Sequence, residues 1–254
     1  MRQKHGQNFL TDPNIANNIV KSAQLRPTDS VLEIGPGKGI LTKIIQQQAR
    51  SLTAIEIDKD LAKNLSKYFA FENIKIINED FLKTNLESVF SSLLSEKIKI
   101  ISNLPYNVGT RIIQKILPLQ IWDTAVFMLQ KEVAHRLCAK MQTKDYGYIS
   151  VFTSYYAKCD ILFDVSKKCF RPQPKIVSTV VKLTNKFPPK ADKVLFDFVK
   201  FAFSMRRKTI LNSLSSFIKS DKTTAAKIIE QCNLDASLRP ERISVENFLK
   251  LIKN

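Results

Sequence analysis

The stretch SVLEIGPGKG, residues 30–39, decides the fold, because a continuous apolar run ends there in three closely spaced glycines. Such a run is typical of a strand that is buried on both faces of a parallel sheet. Glycines directly after the strand let the backbone approach a ligand and leave N–H groups of the next helix pointing at it. The spacing G-x-G-x-G differs from the G-x-G-x-x-G that seats a pyrophosphate, and an ordinary tight turn is the alternative interpretation.

Six further apolar runs predict the rest of a seven-stranded sheet. The first four alternate with segments of helical periodicity, which indicates a parallel sheet wrapped by helices. The last two are separated by a loop that contains Pro172 and Pro174, so we expect them to form an antiparallel edge. The predicted strands cover residues 52–57, 74–78, 98–102, 124–129, 149–163 and 176–183.

Both ends of the chain predict helices outside this sheet. Asp12 followed by Pro13 favours the N-cap and first turn of a helix that runs to about residue 23, with the preceding chain as an exposed arm. After Thr184 the chain becomes polar and rich in proline, which is typical of a linker. We therefore predict two domains, residues 1–185 and 186–254, of which the second is helical.

The charge balance predicts a polyanionic partner. The chain has 40 Lys and Arg against 23 Asp and Glu, a formal net charge of +17, and residues 186–254 alone hold 14 basic and 7 acidic residues. A field of this sign attracts polyanions, and nucleic acid is the commonest of them in the cytoplasm. Plain solubility, or a source whose proteins are generally rich in lysine, is the alternative reading.

Two acidic side chains follow neighbouring predicted strands. Glu56 ends the second strand and Asp80 follows the third. Since the carboxyl ends of parallel strands meet at one edge of a sheet, both side chains and the glycine loop should line one crevice. Glu56 can accept hydrogen bonds from two ribose hydroxyls and Asp80 from an adenine amine. Each alone could be a solvated acid, but the combination favours a cofactor that contains adenosine.

The tetrapeptide Asn103-Leu104-Pro105-Tyr106 leaves the fourth strand and carries the chemistry. It resembles the N/D-P-P-Y/F signature of methyltransferases that act on planar amino groups. The lone pair of an adenine N6 is delocalised into the ring, so the side-chain oxygen of Asn103 and the backbone carbonyl of Leu104 can each accept one N6 hydrogen and localise it. Pro105 fixes the backbone and Tyr106 can stack on the base. The alternative is a proline turn with a half-buried tyrosine.

With these motifs, the whole chain resembles the bacterial small-subunit ribosomal RNA adenine dimethyltransferases, the KsgA/RsmA family, and its glycine loop resembles that of the class I methyltransferases. The resemblance implies a Rossmann-like seven-stranded α/β domain with a small all-helical C-terminal domain that contacts RNA. It implies S-adenosylmethionine as methyl donor, leaving as S-adenosylhomocysteine. The implied reaction dimethylates N6 of two adjacent adenosines in the 3′-terminal hairpin loop of 16S rRNA, within an immature small subunit.

The resemblance also assigns roles to residues. Within QNFL, residues 7–10, it implies that Asn8 and Leu10 contact the cofactor, although Phe9 and Leu10 could merely staple the next helix. In FRPQPK, residues 170–175, it makes Phe170 the second face of the target-base sandwich; a proline-stiffened hairpin loop is the alternative. Arg206, Arg207 and Lys208 become phosphate contacts, or else a solvated helix face. By the same carry-over, the cofactor is also contacted by Gly35, Glu56, Asp80 and Asn103.

Other features argue against other classes of protein. The four cysteines form no C-x-x-C pair and there are only two histidines, so we predict no metal site and free thiols. The first residues lack the apolar core of a signal peptide, and no apolar stretch is long enough to span a membrane. We therefore expect a cytoplasmic protein, and a monomer.

Three alternative functions remain open at this point. An erythromycin-resistance type of 23S rRNA adenine methyltransferase shares most of these motifs. A non-catalytic RNA-binding assembly factor would share the fold, but it would be expected to have lost site residues that are present here. A protein methyltransferase that modifies glutamine would share the amide-activating motif, yet it would give no reason for the positive charge.

Overall fold

The computed structural model describes residues 8–91, 98–189 and 193–253, which form two compact units. The first unit comprises the described residues up to Ala134 together with Lys158–Asn185. The second comprises His135–Ala157 and the described residues from Lys186 onward. The last segment of the second unit begins at the boundary that the sequence predicts after residue 185. The second unit also contains His135–Ala157, which the sequence assigned to the first domain.

The first unit is built on a parallel sheet with helices between its strands. Its helices are α1 (Pro13–Ser22), α2 (Ile40–Ile45), α3 (Lys59–Tyr68), α4 (Leu86–Ser91) and α5 (Gly109–Ile116), and α6 (Lys131–Leu137) follows the last parallel strand. The strands are β1 (Phe9–Leu10), β2 (Ser30–Ile34), β3 (Ser51–Glu56), β4 (Ile74–Asn78), β5 (Ile98–Asn103), β6 (Trp122–Gln130), β7 (Ala157–Val165), β8 (Phe170–Arg171) and β9 (Ser178–Asn185).

Seven of these strands form one sheet in the order β4-β3-β2-β5-β6-β9-β7. The pairs from β4 to β6 are parallel, and β9 lies antiparallel to β6, which confirms the predicted seven-stranded sheet and its antiparallel strand. The chain moves outward from β2 to β4 and then returns to β5 on the other side of β2. Open sheets of this kind bind ligands at the carboxyl ends of the strands beside such a reversal.

The N-terminal segment partly differs from the expectation of an exposed arm. Helix α1 begins as predicted, because the Asp12 carboxylate accepts the N–H groups of Asn14 and Ile15. Before it, however, β1 pairs with β8 and Leu10 is buried. The exposed-arm prediction is therefore wrong for these two residues, and its earlier part, residues 1–7, lies outside the described residues.

The second unit is helical in its described part and has its own core. Phe198 and Phe248 are fully buried at its centre. The helices are α7 (Tyr148–Tyr156), α8 (Lys193–Ser204), α9 (Ile210–Ile218), α10 (Lys222–Gln231) and α11 (Val245–Lys253). Of these, the sequence predicted α8 and α10.

The predicted strand at 149–163 is wrong in its first half, where helix α7 lies. Ile149, Val151 and Phe152 have high strand propensity, but all are buried in the helix, and context of this kind overrides propensity. The Gly147 N–H donates to the Ser150 hydroxyl, which satisfies one of the free donors at the helix start. The second half of the prediction corresponds to β7.

The expectation of four free thiols is also wrong, because Cys138 and Cys159 are disulfide-bonded. Among the residues that the structure describes, no group of three or more His, Cys, Asp or Glu side chains could hold a metal ion. Within the same described ranges, no helix has the length and apolar character needed to cross a bilayer.

Candidate functional site

A cavity of about 400 Å³ opens at the carboxyl ends of β2, β3 and β5. Its volume lies in the usual range for small-molecule sites. Every cofactor and catalytic residue that the sequence proposed lines it, with the exception of Phe170. Those residues are Asn8, Leu10, Gly35, Glu56, Asp80, Asn103, Leu104, Pro105 and Tyr106.

The glycine loop forms one wall of this cavity. All three glycines have positive φ, +64° at Gly35, +59° at Gly37 and +81° at Gly39. A Cβ on Gly37 would lie 3.1 Å from the Phe9 ring, and one on Gly39 would lie 2.8 Å from Leu65 and Phe69, so a side chain at either position would require these neighbours to shift, in addition to the strain of positive φ. A Cβ on Gly35 would meet nothing within 4 Å. The loop therefore packs against protein on one side and leaves its backbone open at Gly35.

The Glu56 carboxylate is fixed at the end of β3 by two peptide groups. One oxygen accepts the Gly37 N–H at 2.9 Å and the other accepts the Asp58 N–H at 2.9 Å. The residue is 1% exposed and faces the cavity. Each carboxylate oxygen can accept two hydrogen bonds, so both retain a lone pair for a ligand hydroxyl.

A second buried carboxyl, Glu33, lies beside it on β2. It is also 1% exposed, and it accepts hydrogen bonds from Thr42, through the hydroxyl at 2.7 Å and through the backbone N–H. The pKa of Glu33 is raised to about 8, mainly by burial; the nearby Glu56 also acts to raise it, and the Thr42 hydrogen bonds act to lower it. Glu33 is therefore mostly protonated at neutral pH and can donate a hydrogen bond at the floor of the cavity.

The Asp80 carboxylate stands at the start of a tight turn after β4. One of its oxygens accepts the Leu82 N–H at 2.9 Å, and its backbone carbonyl accepts the N–H groups of Lys83 and Thr84. Lys115 on helix α5 donates to three carbonyls of the same turn. The turn is thus fixed from within and from a neighbouring helix.

Residues 103–106 form the opposite wall of the cavity. The Leu104 N–H donates to the Met128 carbonyl and so extends the hydrogen bonding between β5 and β6. The Asn103 side-chain nitrogen donates to the Asn8 carbonyl at 3.5 Å. Among the described residues, none donates a hydrogen bond to the Asn103 side-chain oxygen or to the Leu104 carbonyl. These are the two acceptors that the sequence proposed for an adenine amine.

Tyr106 presents its ring to the cavity while its hydroxyl is held elsewhere. The hydroxyl lies 2.6 Å from that of Ser178, a fully buried residue at the start of β9. Burial raises the pKa of Tyr106, which the Ser178 contact partly offsets, so the hydroxyl keeps its proton at neutral pH. The tether leaves the face of the ring as the surface that a base could use.

Phe170 is placed differently from the prediction. Its side chain is fully buried in the core cluster of Leu10, Val165 and Val180, and Phe170 pairs with Leu10 between β8 and β1. It is not among the residues that line the cavity. Its role in holding a base therefore remains a prediction, and it requires the ring to become exposed.

The three basic residues after α8 are exposed, but they are not equivalent. Arg206 donates to the Lys144 carbonyl at 3.0 Å and lies 3.8 Å from the Glu241 carboxylate. For Arg207 and Lys208, the described part of the chain supplies no such partner. These two therefore have the cationic groups that are available to an external phosphate.

The sequence did not single out three residues that shape the site. Glu33 stood inside the glycine motif, but its protonation follows from complete burial. Ser178 and Lys115 reach the site from a distant strand and from the far end of a helix. Sequence spacing carries no signal for such contacts, whereas the strand-end acids are revealed by the alternation of strands and helices.

A parallel sheet with one antiparallel strand, a glycine loop after β2, and acids at the ends of the next two strands define a class I methyltransferase. The model of the ribosomal RNA adenine dimethylase family matches residues 1–254. The chain belongs to this family, and it is an S-adenosylmethionine-dependent rRNA adenine methyltransferase. The family, the fold class and the enzyme class predicted from the sequence are confirmed.

Curated relatives match nearly the full chain. A protein of Alkaliphilus metalliredigens named ribosomal RNA small subunit methyltransferase A is 41% identical and covers 98% of this chain and 89% of its own. A protein of the same name from Mycoplasma mycoides subsp. mycoides is 37% identical and covers 98% and 96%. These shares show a resemblance along the whole length of both chains.

Solved structures share the fold. A dimethyladenosine transferase from Plasmodium falciparum superposes with a TM-score of 0.81 at 23% identity and covers 96% of each chain. The 23S rRNA methyltransferase ErmE superposes with a TM-score of 0.71 at 26% identity and covers 97% of this chain and 98% of its own. Both neighbours confirm the architecture, and the first of them agrees with it more closely.

Proposed function

We propose that this chain dimethylates N6 of two adjacent adenosines in the 3′-terminal hairpin loop of 16S rRNA. It acts on an immature small ribosomal subunit, in the cytoplasm and as a monomer. The observation that carries the chemistry is that Asn103 and Leu104 line the cavity and that no described residue donates to the Asn103 side-chain oxygen or the Leu104 carbonyl. The names of the curated relatives support the small subunit as substrate.

The residues present fit S-adenosylmethionine. The backbone is open at Gly35, where a Cβ would meet nothing within 4 Å, so an amino-acid tail can approach the loop. The Glu56 carboxylate keeps free lone pairs for ribose hydroxyls, and the second Asp80 oxygen can accept an adenine amine. When bound, S-adenosylmethionine supplies an electrophilic methyl group.

The protein's part in the transfer is to shape the attacking amine. The Asn103 side-chain oxygen and the Leu104 carbonyl each accept one N6 hydrogen, which draws the nitrogen from planar toward tetrahedral geometry. Because the peptide and the carboxamide are fixed at the end of β5, the lone pair is aimed without reorganisation at the moment of reaction. The alkylated amine then loses a proton to water, so no strong base is required.

The target adenosine must leave its stack to reach these groups. The Tyr106 ring offers one face for it, held in place by the Ser178 hydroxyl. Stacking of a base on an aromatic ring contributes about 1–3 kcal/mol, which offsets part of the unstacking cost. Phe170 supplies the second face if β8 shifts to expose it.

Cationic side chains of each unit hold the RNA. Lys38, Lys83 and Arg111 line the cavity, and Arg207 and Lys208 are exposed on the second unit. Phosphate contacts position an RNA without reading its sequence, so these side chains fit that role. Residues 1–185 accordingly hold the catalytic site, and residues 186–254 add RNA contacts.

The alternative target is an adenosine of 23S rRNA, and the solved structure of ErmE is named as a 23S rRNA methyltransferase. ErmE is 26% identical to this chain, whereas the small-subunit relatives are 37–41% identical over nearly its full length. That difference favours the small subunit. The presence of the complete acceptor pair also disfavours an assembly factor without activity.

Incubation with tritiated S-adenosylmethionine and undermethylated small subunits tests the proposal. We expect label in N6,N6-dimethyladenosine after nucleoside digestion of 16S rRNA, at about two modified adenosines per subunit, and none with fully methylated subunits. Undermethylated large-subunit RNA, incubated in parallel, tests the alternative target in 23S rRNA. Label in that RNA alone would establish the alternative target, and label in neither would refute the proposal.

A further inference from the structure

Lys115 makes an unusual set of contacts for a surface helix. From α5 its ammonium donates to the carbonyls of Phe81 at 2.8 Å, Leu82 at 3.0 Å and Thr84 at 2.8 Å. An ammonium has three N–H donors, so all three are used within one turn of the chain. The Phe81 ring adds a cation–π contact, with its centroid 5.4 Å from the Lys115 nitrogen.

These carbonyls converge because the turn is tight. Three carbonyl dipoles that point toward one place repel each other unless a cation lies between them. Burial lowers the pKa of Lys115, and the nearby Asp80 carboxylate raises it. The ammonium thus both closes the turn and lies close to the carboxylate that the turn presents.

The turn that Lys115 closes carries the Asp80 side chain. Asp80 is also bonded within the turn through the N–H groups of Leu82 and Thr84, so its carboxylate moves with the turn as one body. A shift of that body moves the acceptor away from the position of the adenine amine. A change of about 1 Å in such an acceptor is enough to lose its contribution.

The same helix is attached to the catalytic tetrapeptide. The Pro105 carbonyl accepts the N–H groups of Val108 and Gly109, where α5 begins. Lys115 stands near the other end of the helix. The helix therefore connects the base side of the cavity to the turn on its cofactor side.

We propose that Lys115 is a positioning residue that holds the Asp80 turn and so sets the preference of the cofactor site for an adenine that carries its amine. This rests on the proposed function, since it takes Asp80 as the acceptor for that amine. Lys115 itself touches neither the cofactor nor the target base.

The test compares two ligands by calorimetry: S-adenosylhomocysteine and its 6-oxo analogue, in which the amine is replaced by a carbonyl oxygen. The native protein should bind the first more tightly by about tenfold or more, because the analogue faces Asp80 with an acceptor. Lys115→Met keeps most of the length of the side chain and removes the charge. We expect it to weaken S-adenosylhomocysteine about tenfold and to reduce the preference to less than about threefold.

Lys99→Met is the matched control. Lys99 is another lysine of the first unit whose ammonium is bonded within the protein, where it pairs with Asp29 at 2.9 Å and donates to the Gln24 carbonyl. It lies at the start of β5, the opposite end of the strand from the cavity. Its replacement should lower the melting temperature but leave the ligand preference unchanged, which separates positioning from general stability.

The outcomes are distinct. If Lys115→Met prefers S-adenosylhomocysteine over the 6-oxo analogue as strongly as the native protein does, the proposal for Lys115 is overturned. Loss of this preference in Lys99→Met would overturn it too. A native protein without preference would instead contradict the role of Asp80 in the proposed function. Should Lys115→Met fail to fold, Lys115→Gln, which keeps two N–H donors, takes its place, and an unchanged preference there likewise overturns the proposal.

Discussion

The two sides of the cavity are prepared in opposite ways. On the cofactor side, Glu56 and Asp80 already accept peptide N–H groups, and Lys115 fixes the turn behind Asp80. On the base side, the Asn103 side-chain oxygen and the Leu104 carbonyl accept no hydrogen bond from a described residue. Protein N–H groups thus already hold the acceptors on the first side, while the two acceptors on the second side have no described protein donor.

This difference has a physical reason. A cofactor bound in the same way in every cycle gains from acceptors that are held rigidly, because little order is lost on binding. Catalysis, in contrast, gains from interactions that are stronger in the transition state than in the ground state. If Asn103 and Leu104 accept the N6 hydrogens as proposed, these contacts strengthen as N6 becomes tetrahedral, so we expect changes there to affect rate and changes on the proposed cofactor side to affect affinity.

Replacement of Asn103 should give the largest effect. Asn103→Ala removes one of two acceptors for the amine, and loss of one such preorganised group costs roughly 10²–10³ in rate. Single-turnover methyl transfer measures this, with RNA affinity measured in parallel and expected to be nearly unchanged. Asn107→Ala is the control, because Asn107 is an exposed carboxamide that lines the same cavity. A normal rate in Asn103→Ala would refute the assigned role.

A change at Glu56 should come next and should alter affinity rather than rate. In Glu56→Gln one peptide N–H faces an amide NH₂ instead of an oxygen, and the charge that attracts ribose hydroxyls is lost. Hydrogen bonds to charged groups contribute about 1.5–3 kcal/mol, so binding of S-adenosylhomocysteine should weaken roughly 10- to 100-fold by calorimetry. Glu72→Gln, at an exposed position, should bind normally. Equal affinities for the Glu56 variant and the native protein would contradict the comparison.

The smallest effect concerns Glu33, and it appears in the pH dependence of stability. Because its pKa is about 8 in the folded protein against 4.5 as a reference, the folded state binds more protons than the unfolded state between these values. The contribution of Glu33 to stability is therefore complete below pH 4.5 and falls as the pH rises toward 8. The slope approaches about 1.4 kcal/mol per pH unit.

Glu33→Gln removes this titration while the Thr42 hydroxyl keeps an acceptor. Denaturant unfolding from pH 5 to 8 should show the native protein losing stability relative to the variant across the window. Thr42→Val removes the hydroxyl donor that lowers the pKa of Glu33 and keeps the backbone N–H, and it should make the loss of stability steeper near pH 8. A constant difference between native protein and Glu33→Gln at every pH would show that Glu33 does not titrate there.

Much of this site could be read from the sequence, because a repeating pattern locates it. Alternating strands and helices put Gly35, Glu56, Asp80 and Asn103 at the same edge of the sheet, and all four line the cavity. Spacing alone was sufficient for these residues, since parallel strands align their carboxyl ends.

The parts that could not be read depend on contacts between distant segments. The strand propensity of residues 149–156 gave no sign of helix α7, whose apolar side chains are buried in the helical unit. The burial of Phe170 depends on the pairing of β1 with β8, two strands of only two residues each. The reach of Lys115 to the Asp80 turn likewise depends on how α5 packs, which no local pattern encodes.

The pairing of Phe9 with Arg171 and of Leu10 with Phe170 has a consequence for synthesis. The segment that lines the cavity at Phe9 and Leu10 pairs with a segment translated some 160 residues later, since β1 has its partner in β8. The nascent chain therefore passes through most of its translation before β1 can form its strand pair.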